Sequence, residues 1–152
     1  MLPTIDVHEV TIDATPEAIW PALLRTVRGA FSGPLPTAYA RAIRSRPWQP
    51  SRDTLAGFRI TESVEPAALT LEGQHLFSVY ALSFHIAARP EGGSRLSAES
   101  RADFPGPHGA LYRLAVISSG FHARSVRRLL ATVSRRTSRP VPPARHPQRP
   151  AP

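Results

Sequence analysis

The feature that most constrains the fold is a change in hydrophobic period close to residue 104. From Phe58 to Phe104, apolar residues recur at nearly every second position, the period of strands with one buried face. From about residue 108 to 136 they recur every 3.6 residues instead, the period of an amphipathic helix. The change predicts several strands followed by one long helix, which is an α+β pattern.

The strand region divides into four runs, which cover residues 58–64, 69–72, 77–89 and 95–104. Short turns join these runs, and short turns favour an antiparallel sheet. In the third run, Tyr80, Leu82 and Phe84 share one side of the strand. In the last run, Ser100 and Phe104 lie on the apolar face, opposite a face of charged and polar residues.

The N-terminal part predicts one strand and one helical region. Residues 5–13 form a β-branched run, and Thr15 followed by Pro16 is typical of a helix N-terminus. Pro21 lacks the backbone N–H that a continuing helix needs, so a kink or two short helices are expected over residues 16–28. Residues 29–56 predict no definite element.

The C-terminal pattern predicts a single helix over residues 108–136, about 40 Å long at 1.5 Å per residue. Its centre is unusual, because Ser118, His122 and Ser125 share the apolar face and Gly120 costs about 1 kcal/mol relative to alanine. Polar residues there fit a helix whose ends grip the sheet while its centre overlooks a cavity. Alternatively, His122 bonds a backbone carbonyl and the serines bond back to the helix.

Three segments carry a resemblance to a known family: VHEVTIDATPEAIWPALL, LEGQHLFSVYALSFHI and RLSAESRADFPGPHGALYRLAVISSGFHARSVRRLL. Over about residues 5–136 the chain resembles bacterial members of the SRPBCC, or START-like, superfamily, which includes polyketide cyclase-like proteins. The resemblance implies a helix-grip fold, in which a curved antiparallel sheet wraps around a long C-terminal helix. It also implies a cavity between them for a lipid, a polyketide or another apolar ligand. Residues 29–56 depart from the strand pair and lid that the family usually has there.

A small hydrophobic or amphipathic ligand is therefore the expected partner. The residues expected to line its cavity are Tyr80, Leu82, Phe84, Ser100, Phe104, Ser118 and His122. Some members of the superfamily are cyclases or aromatases, so an enzyme of the cyclase or hydratase kind is the alternative. Its acid and base candidates are Glu62, Tyr80 and His122, because Glu62 falls on the apolar phase of its strand. Glu62 at an exposed strand end is the structural alternative, and the sequence leaves catalysis open.

The net charge of +8 is concentrated in the C-terminal third. Residues 1–103 hold 10 Arg and 11 acidic residues, whereas residues 104–152 hold nine Arg and no acidic residue. Three interpretations remain: a solvated helix face and tail, a weak contact with an anionic membrane surface, or nucleic acid. Nucleic acid ranks last, because the tail has no aromatic residue to stack on bases and no DNA-reading module is recognisable. An interaction protein that acts through this basic surface is the third function class.

Several classes of site have no sequence support. The chain has no Cys, and its six His have no metal-site spacing, so no metal centre is expected. No phosphate loop or dinucleotide fingerprint is present, so no cofactor is expected either. No apolar run reaches about 18 residues and no secretory signal is visible, so a cytoplasmic location is expected. Residues 3–136 are the expected domain, and the Pro- and Arg-rich residues 137–152 are an expected disordered tail.

Overall fold

The computed structural model describes residues 2–46, 53–118 and 120–138, and within them the chain forms one sheet and four helices. The strands are β1 (Thr4–Ile12), β2 (Thr54–Leu55), β3 (Phe58–Val64), β4 (Ala68–His75), β5 (Ser78–Ala88) and β6 (Ser94–Asp103). The helices are α1 (Pro16–Ala30), α2 (Pro34–Ala42), α3 (Gly106–Val116) and α4 (Phe121–Thr137). The sheet is antiparallel, curved and unclosed, with the order β1-β6-β5-β4-β3-β2. The α+β, helix-grip architecture is thereby confirmed.

Consecutive hairpins build most of the sheet, as the alternating pattern predicts. Leu82 of β5 pairs with Leu71 of β4 on one side and with Ser100 of β6 on the other. Since directly opposed residues point to the same face, these three side chains face the helices together. β1 breaks the sequential order, because the N-terminal strand crosses the molecule and pairs with β6.

The first helix begins where the sequence predicts, with Thr15 at the N-cap and Pro16 in the first turn. The expected division at Pro21 does not occur, because α1 continues to Ala30 with Pro21 inside it. Pro21 lies on the exposed side of the helix. The opposite side is buried against the core, so the loss of one backbone hydrogen bond does not end the helix.

The core fills one half of the space between the sheet and the helices. Its apolar side chains come from α1, α4 and the centre of the sheet, and the fully buried ones include Ile19, Leu23, Val27, Phe84, Leu96 and Val133. α4 contacts both α1 and β1, so the C-terminal helix closes this half of the molecule against the N-terminal strand.

The predicted single helix over residues 108–136 is wrong. α3 ends at Val116 and α4 begins at Phe121, and Gly120 between them has a left-handed backbone with φ 69°. A residue with positive φ cannot continue a right-handed helix, and glycine adopts it without a steric penalty. Leu111 and Leu114, which the helical period assigns to the buried face, are 68% and 62% exposed. His122 accordingly lies in the first turn of α4 rather than at mid-helix.

The structure adds elements where the sequence predicted none. α2 and the two-residue strand β2 lie between α1 and β3. Trp48 and its neighbours in residues 47–52 lie outside the described residues. Most of the predicted tail, residues 137–152, also lies outside the described residues, the last of which is Ser138.

Candidate functional site

A cavity of about 910 Å³ occupies the other half of the space between sheet and helices. The inner faces of β5 and β6 form its floor, and all four helices contribute to its walls. Most of its lining is apolar, and it includes the rings of Phe31, Phe58, Tyr80, Phe104 and Tyr112. Sites for drug-sized ligands are typically about 300–1,000 Å³ and mostly apolar, so this cavity is of the right size and character for a small molecule.

A chain of ring contacts holds the cavity walls together. Phe31 at the end of α1 lies 4.5 Å from Phe58, and Phe58 lies 4.8 Å from Tyr80, measured between ring centroids. The chain continues through His75 to Tyr112 of α3, at centroid distances of 5.2 and 4.9 Å. Such contacts fix α1, the sheet and α3 relative to one another around the open space.

Tyr80 is locked in place by two glycines. Its hydroxyl donates to the backbone oxygen of Gly57 at 2.5 Å. Its ring lies directly over its cross-strand partner Gly73, where a Cβ would overlap both the ring and the Gly57 oxygen. Burial raises the pKa of Tyr80 to about 12. The phenol therefore stays protonated at neutral pH, and its proton is already committed to Gly57.

His75 is a neutral, fully oriented imidazole in the cavity wall. Its Nδ1 accepts from the backbone N–H of Phe77 at 3.1 Å, and its Nε2 lies 3.0 Å from Ser78 Oγ. Because Nδ1 is the acceptor, the neutral ring carries its proton on Nε2 and donates it to Ser78. Burial lowers the pKa of His75, which favours this neutral form.

The mouth of the cavity carries a pair of hydrogen-bonded tyrosines. Tyr39 of α2 and Tyr112 of α3 place their hydroxyl oxygens 2.9 Å apart. Burial, together with this bond to Tyr39, raises the pKa of Tyr112. The two helices are thus joined side to side above the open space.

A cluster of polar side chains lies where β1 meets the first turn of α4. His122 Nε2 is 3.8 Å from Asp6 Oδ1, and His8 Nε2 is 3.3 Å from Asp6 Oδ2. Burial lowers the pKa of His122, partly opposed by the Asp6 carboxylate, and His8 lowers it further. His122 is therefore neutral at pH 7 despite its acidic neighbour.

The structure brings five of the seven predicted lining residues to the cavity. Tyr80, Leu82, Ser100, Phe104 and His122 line it. The remaining two predicted residues do not line the cavity. Phe84 is fully buried in the core behind the cavity wall, and Ser118 is exposed in the link between α3 and α4.

The inward placement of Glu62 is also corrected. An irregularity in the pairing of β3 with β4 between Ile60 and Glu62 shifts the phase of the strand, and Glu62 is exposed. Its carboxylate accepts a hydrogen bond from Thr70 Oγ1 at 2.8 Å. Tyr80 bonds to Gly57 and His122 faces Asp6, so the expected set of Glu62, Tyr80 and His122 does not come together.

Sequence reasoning missed Asp6 and His8, although a signal for them exists. Asp6, His8, Val10 and Ile12 alternate along β1, and Ile12 belongs to the core. Extending the period of two from Ile12 toward the N-terminus places both polar side chains on the inner face. Tyr39 was missed because residues 29–56 predicted no helix.

Along the outer side of α4 runs a surface that we call the basic face. Its members are exposed arginines: Arg124, Arg127, Arg128 and Arg135. Arg128 also borders the cavity. In the part of the chain that the structure describes, no helix is long and apolar enough to cross a membrane. Over the same residues, no group of three or more His, Asp or Glu side chains could hold a metal ion.

The fold is shared with solved bacterial proteins. One is a conserved protein from Geobacillus kaustophilus, with a TM-score of 0.53 and 12% identity over 87% of this chain and 93% of that one. Another is the Mll3558 protein from Rhizobium loti, with a TM-score of 0.51 and 16% identity over 89% and 96% of the respective chains. At these identities the similarity shows the fold alone. No known family profile matches the sequence, and no curated protein sequence matches it. Fold and cavity together define an α+β protein of helix-grip architecture with an apolar internal site.

Proposed function

We propose that this protein binds a small hydrophobic or amphipathic ligand, such as a lipid or a polyketide-like molecule, between its sheet and α4. We also propose that it is a bacterial member of the SRPBCC, or START-like, superfamily. The observation that carries the proposal is the cavity of about 910 Å³ with its mainly apolar, aromatic wall. Exposed apolar surface inside a fold is stabilised when a ligand covers it.

The arrangement of the walls supports a stable open space rather than a packing defect. Tightly packed residues of α1, α4 and the centre of the sheet fill one half of the molecule. In the other half, the ring contacts and the Tyr39–Tyr112 hydrogen bond keep α2 and α3 in place above the sheet.

Ligand binding is better supported than the cyclase or hydratase alternative. Glu62 is outside the cavity, and the proton of Tyr80 is held by Gly57. Of the three acid and base candidates, only His122 remains as a neutral group on the cavity wall. These three residues therefore do not form the acid and base pair that general acid–base catalysis of a cyclisation would need.

The test compares two alanine replacements on the same sheet. Ala102 is buried on the cavity floor, and Ala87 is exposed on the outer face. Ala102→Phe fills part of the cavity and should weaken binding of the fluorescent apolar probe 1-methylpyrene at least about tenfold, whereas Ala87→Phe should leave it unchanged. Native mass spectrometry of the purified chain should also show a co-purified ligand that Ala102→Phe depletes. Equal probe binding by both folded variants would refute the cavity as the binding site.

A further inference from the structure

Beside one end of the cavity, four buried polar atoms make no hydrogen bond within the part of the chain that the structure describes. They are Asp6 Oδ1, His8 Nε2, Ser100 Oγ and His122 Nε2. Nearly all buried polar atoms of folded proteins have a partner, so a concentration of such atoms at one place requires an explanation.

The four atoms belong to one place in the fold. Asp6 and Ser100 are directly paired across β1 and β6, so their side chains lie next to each other on the inner face. His122 approaches the same carboxylate from α4, and His8 approaches it along β1. Ser100, which is only 2% exposed, and His122 both line the cavity. Asp6 and His8 are the immediate neighbours of these two lining residues, so the cluster borders one end of an otherwise apolar site.

The donors and acceptors of the cluster restrict what can bind there. The Asp6 carboxylate only accepts hydrogen bonds, while the Ser100 hydroxyl and the neutral imidazole of His122 can each donate and accept. A ligand group that satisfies the cluster must donate to Asp6 and accept from a histidine or from Ser100. A hydroxyl group does both with one oxygen atom.

Charge works against the other common polar groups. A ligand carboxylate would be repelled by Asp6. The Arg101 guanidinium is engaged with Glu99 through two hydrogen bonds of 2.9 and 2.7 Å. Two other cationic side chains on the cavity wall, Arg128 and Arg136, lie about 9 and 21 Å farther along α4 than His122 at 1.5 Å per residue. A ligand ammonium could pair with Asp6, but it has no lone pair to accept from the imidazoles or from Ser100.

We propose that Asp6, His8, Ser100 and His122 form a subsite for the hydroxyl group of an otherwise apolar ligand, an alcohol or a phenol. This subsite rests on the proposed function, because it orients a ligand whose apolar body fills the same cavity. It divides the cavity into an apolar part that supplies affinity and a polar end that selects the head group.

The test uses four probes with the same ring system: 1-methylpyrene, 1-pyrenemethanol, 1-pyrenecarboxylate and 1-pyrenemethylamine. Dissociation constants for the full chain come from probe fluorescence. We expect the alcohol to bind about tenfold more tightly than the methyl compound, as befits hydrogen bonds that include a charged acceptor. Asp6→Asn and Ser100→Ala should each reduce that preference to about threefold or less while leaving methylpyrene affinity unchanged.

Matched controls come from the outer faces of the same strands. Glu9→Gln on β1 and Ser97→Ala on β6 make the same chemical changes away from the cavity. Both should keep the full preference for the alcohol. Thermal unfolding of every variant shows whether the chain still folds.

The possible outcomes separate this inference from the proposed function. Equal binding of alcohol and methyl compound, unaffected by Asp6→Asn, would refute the subsite and leave the apolar cavity standing. Tightest binding of the carboxylate or of the amine would also refute it, since the head group would be of the wrong class. If no probe binds, the proposed ligand-binding function fails and the subsite fails with it.

Discussion

Replacing Gly120 with alanine distinguishes a broken C-terminal helix from a continuous one, because the two arrangements give opposite signs for the change in stability. Gly120 has φ 69°, and a Cβ built on it meets no atom within 4 Å. The cost of the substitution is therefore a backbone cost, without a steric collision. The left-handed conformation costs a residue with a Cβ about 1–2 kcal/mol.

Part of that cost is recovered from the unfolded state. Alanine is less flexible than glycine, which stabilises the folded protein by about 0.4–1 kcal/mol. Gly120→Ala should thus lower the free energy of unfolding by about 0.5–1 kcal/mol. If residues 108–136 formed one helix, the same substitution would raise it by about 1 kcal/mol.

Gly29→Ala is the matched control within α1. Gly29 lies inside α1, and its Cβ would also meet no atom within 4 Å. Its φ is not positive, so alanine should raise the free energy of unfolding by about 0.5–1 kcal/mol. The two glycines therefore differ in backbone conformation and not in available space.

Urea unfolding followed by far-UV circular dichroism measures both changes. We expect the midpoint to fall for Gly120→Ala and to rise for Gly29→Ala, with similar denaturant slopes. A rise for both variants would refute the left-handed linker between α3 and α4. It would also return His122 to the middle of a continuous helix.

Three further predictions follow from the site. Burial lowers the pKa values of His75 and His122, so the folded state resists protonation that the unfolded state accepts below about pH 6.5. The free energy of unfolding should therefore fall as the pH drops below that value. Urea titrations at several pH values should show a smaller fall for His75→Gln. Gly73→Ala should cost about 1–3 kcal/mol by displacing the Tyr80 ring, and a neutral change in unfolding free energy would contradict that packing. Replacing the arginines of the basic face with Gln should weaken the binding free energy for phosphatidylserine vesicles, measured by co-sedimentation, by about 1 kcal/mol per arginine. Arg25→Gln on α1 should leave vesicle binding unchanged, and an equal loss of binding per arginine at both places would argue against this surface.

The sheet could be predicted from the sequence because its alternation is regular. β6 alternates between buried and more exposed positions, and β5 keeps Tyr80, Leu82, Phe84 and Ile86 on one side. The inward placement of Leu82 and Ser100 therefore followed from the period of two. The predicted inward placement of Glu62 was wrong because an irregularity in the pairing of β3 with β4 shifts the phase of the strand. Such an irregularity does not change the hydrophobic pattern of the sequence.

The break in the C-terminal helix could not be read from hydrophobic period. Leu111 and Leu114 keep the phase of α4, although they belong to a different helix and are exposed. The relevant sign was Gly120 itself, whose conformational freedom the periodicity does not register. Asp6 escaped notice because the function of an inward polar residue depends on what faces it, and His122 faces it from more than 100 positions away in the chain.

The pairing of β1 with β6 has a consequence for the order of folding. β3 to β6 form from neighbouring hairpins, whereas β1 must meet a strand some 90 residues later, and α4 must then pack on β1 and α1. Contacts between distant parts of a chain lose more entropy on loop closure, so they tend to form late. The polar end of the cavity consists of such contacts, so a bound ligand would stabilise interactions formed after the rate-limiting step. It should therefore prolong the lifetime of the folded protein while leaving its folding rate nearly unchanged.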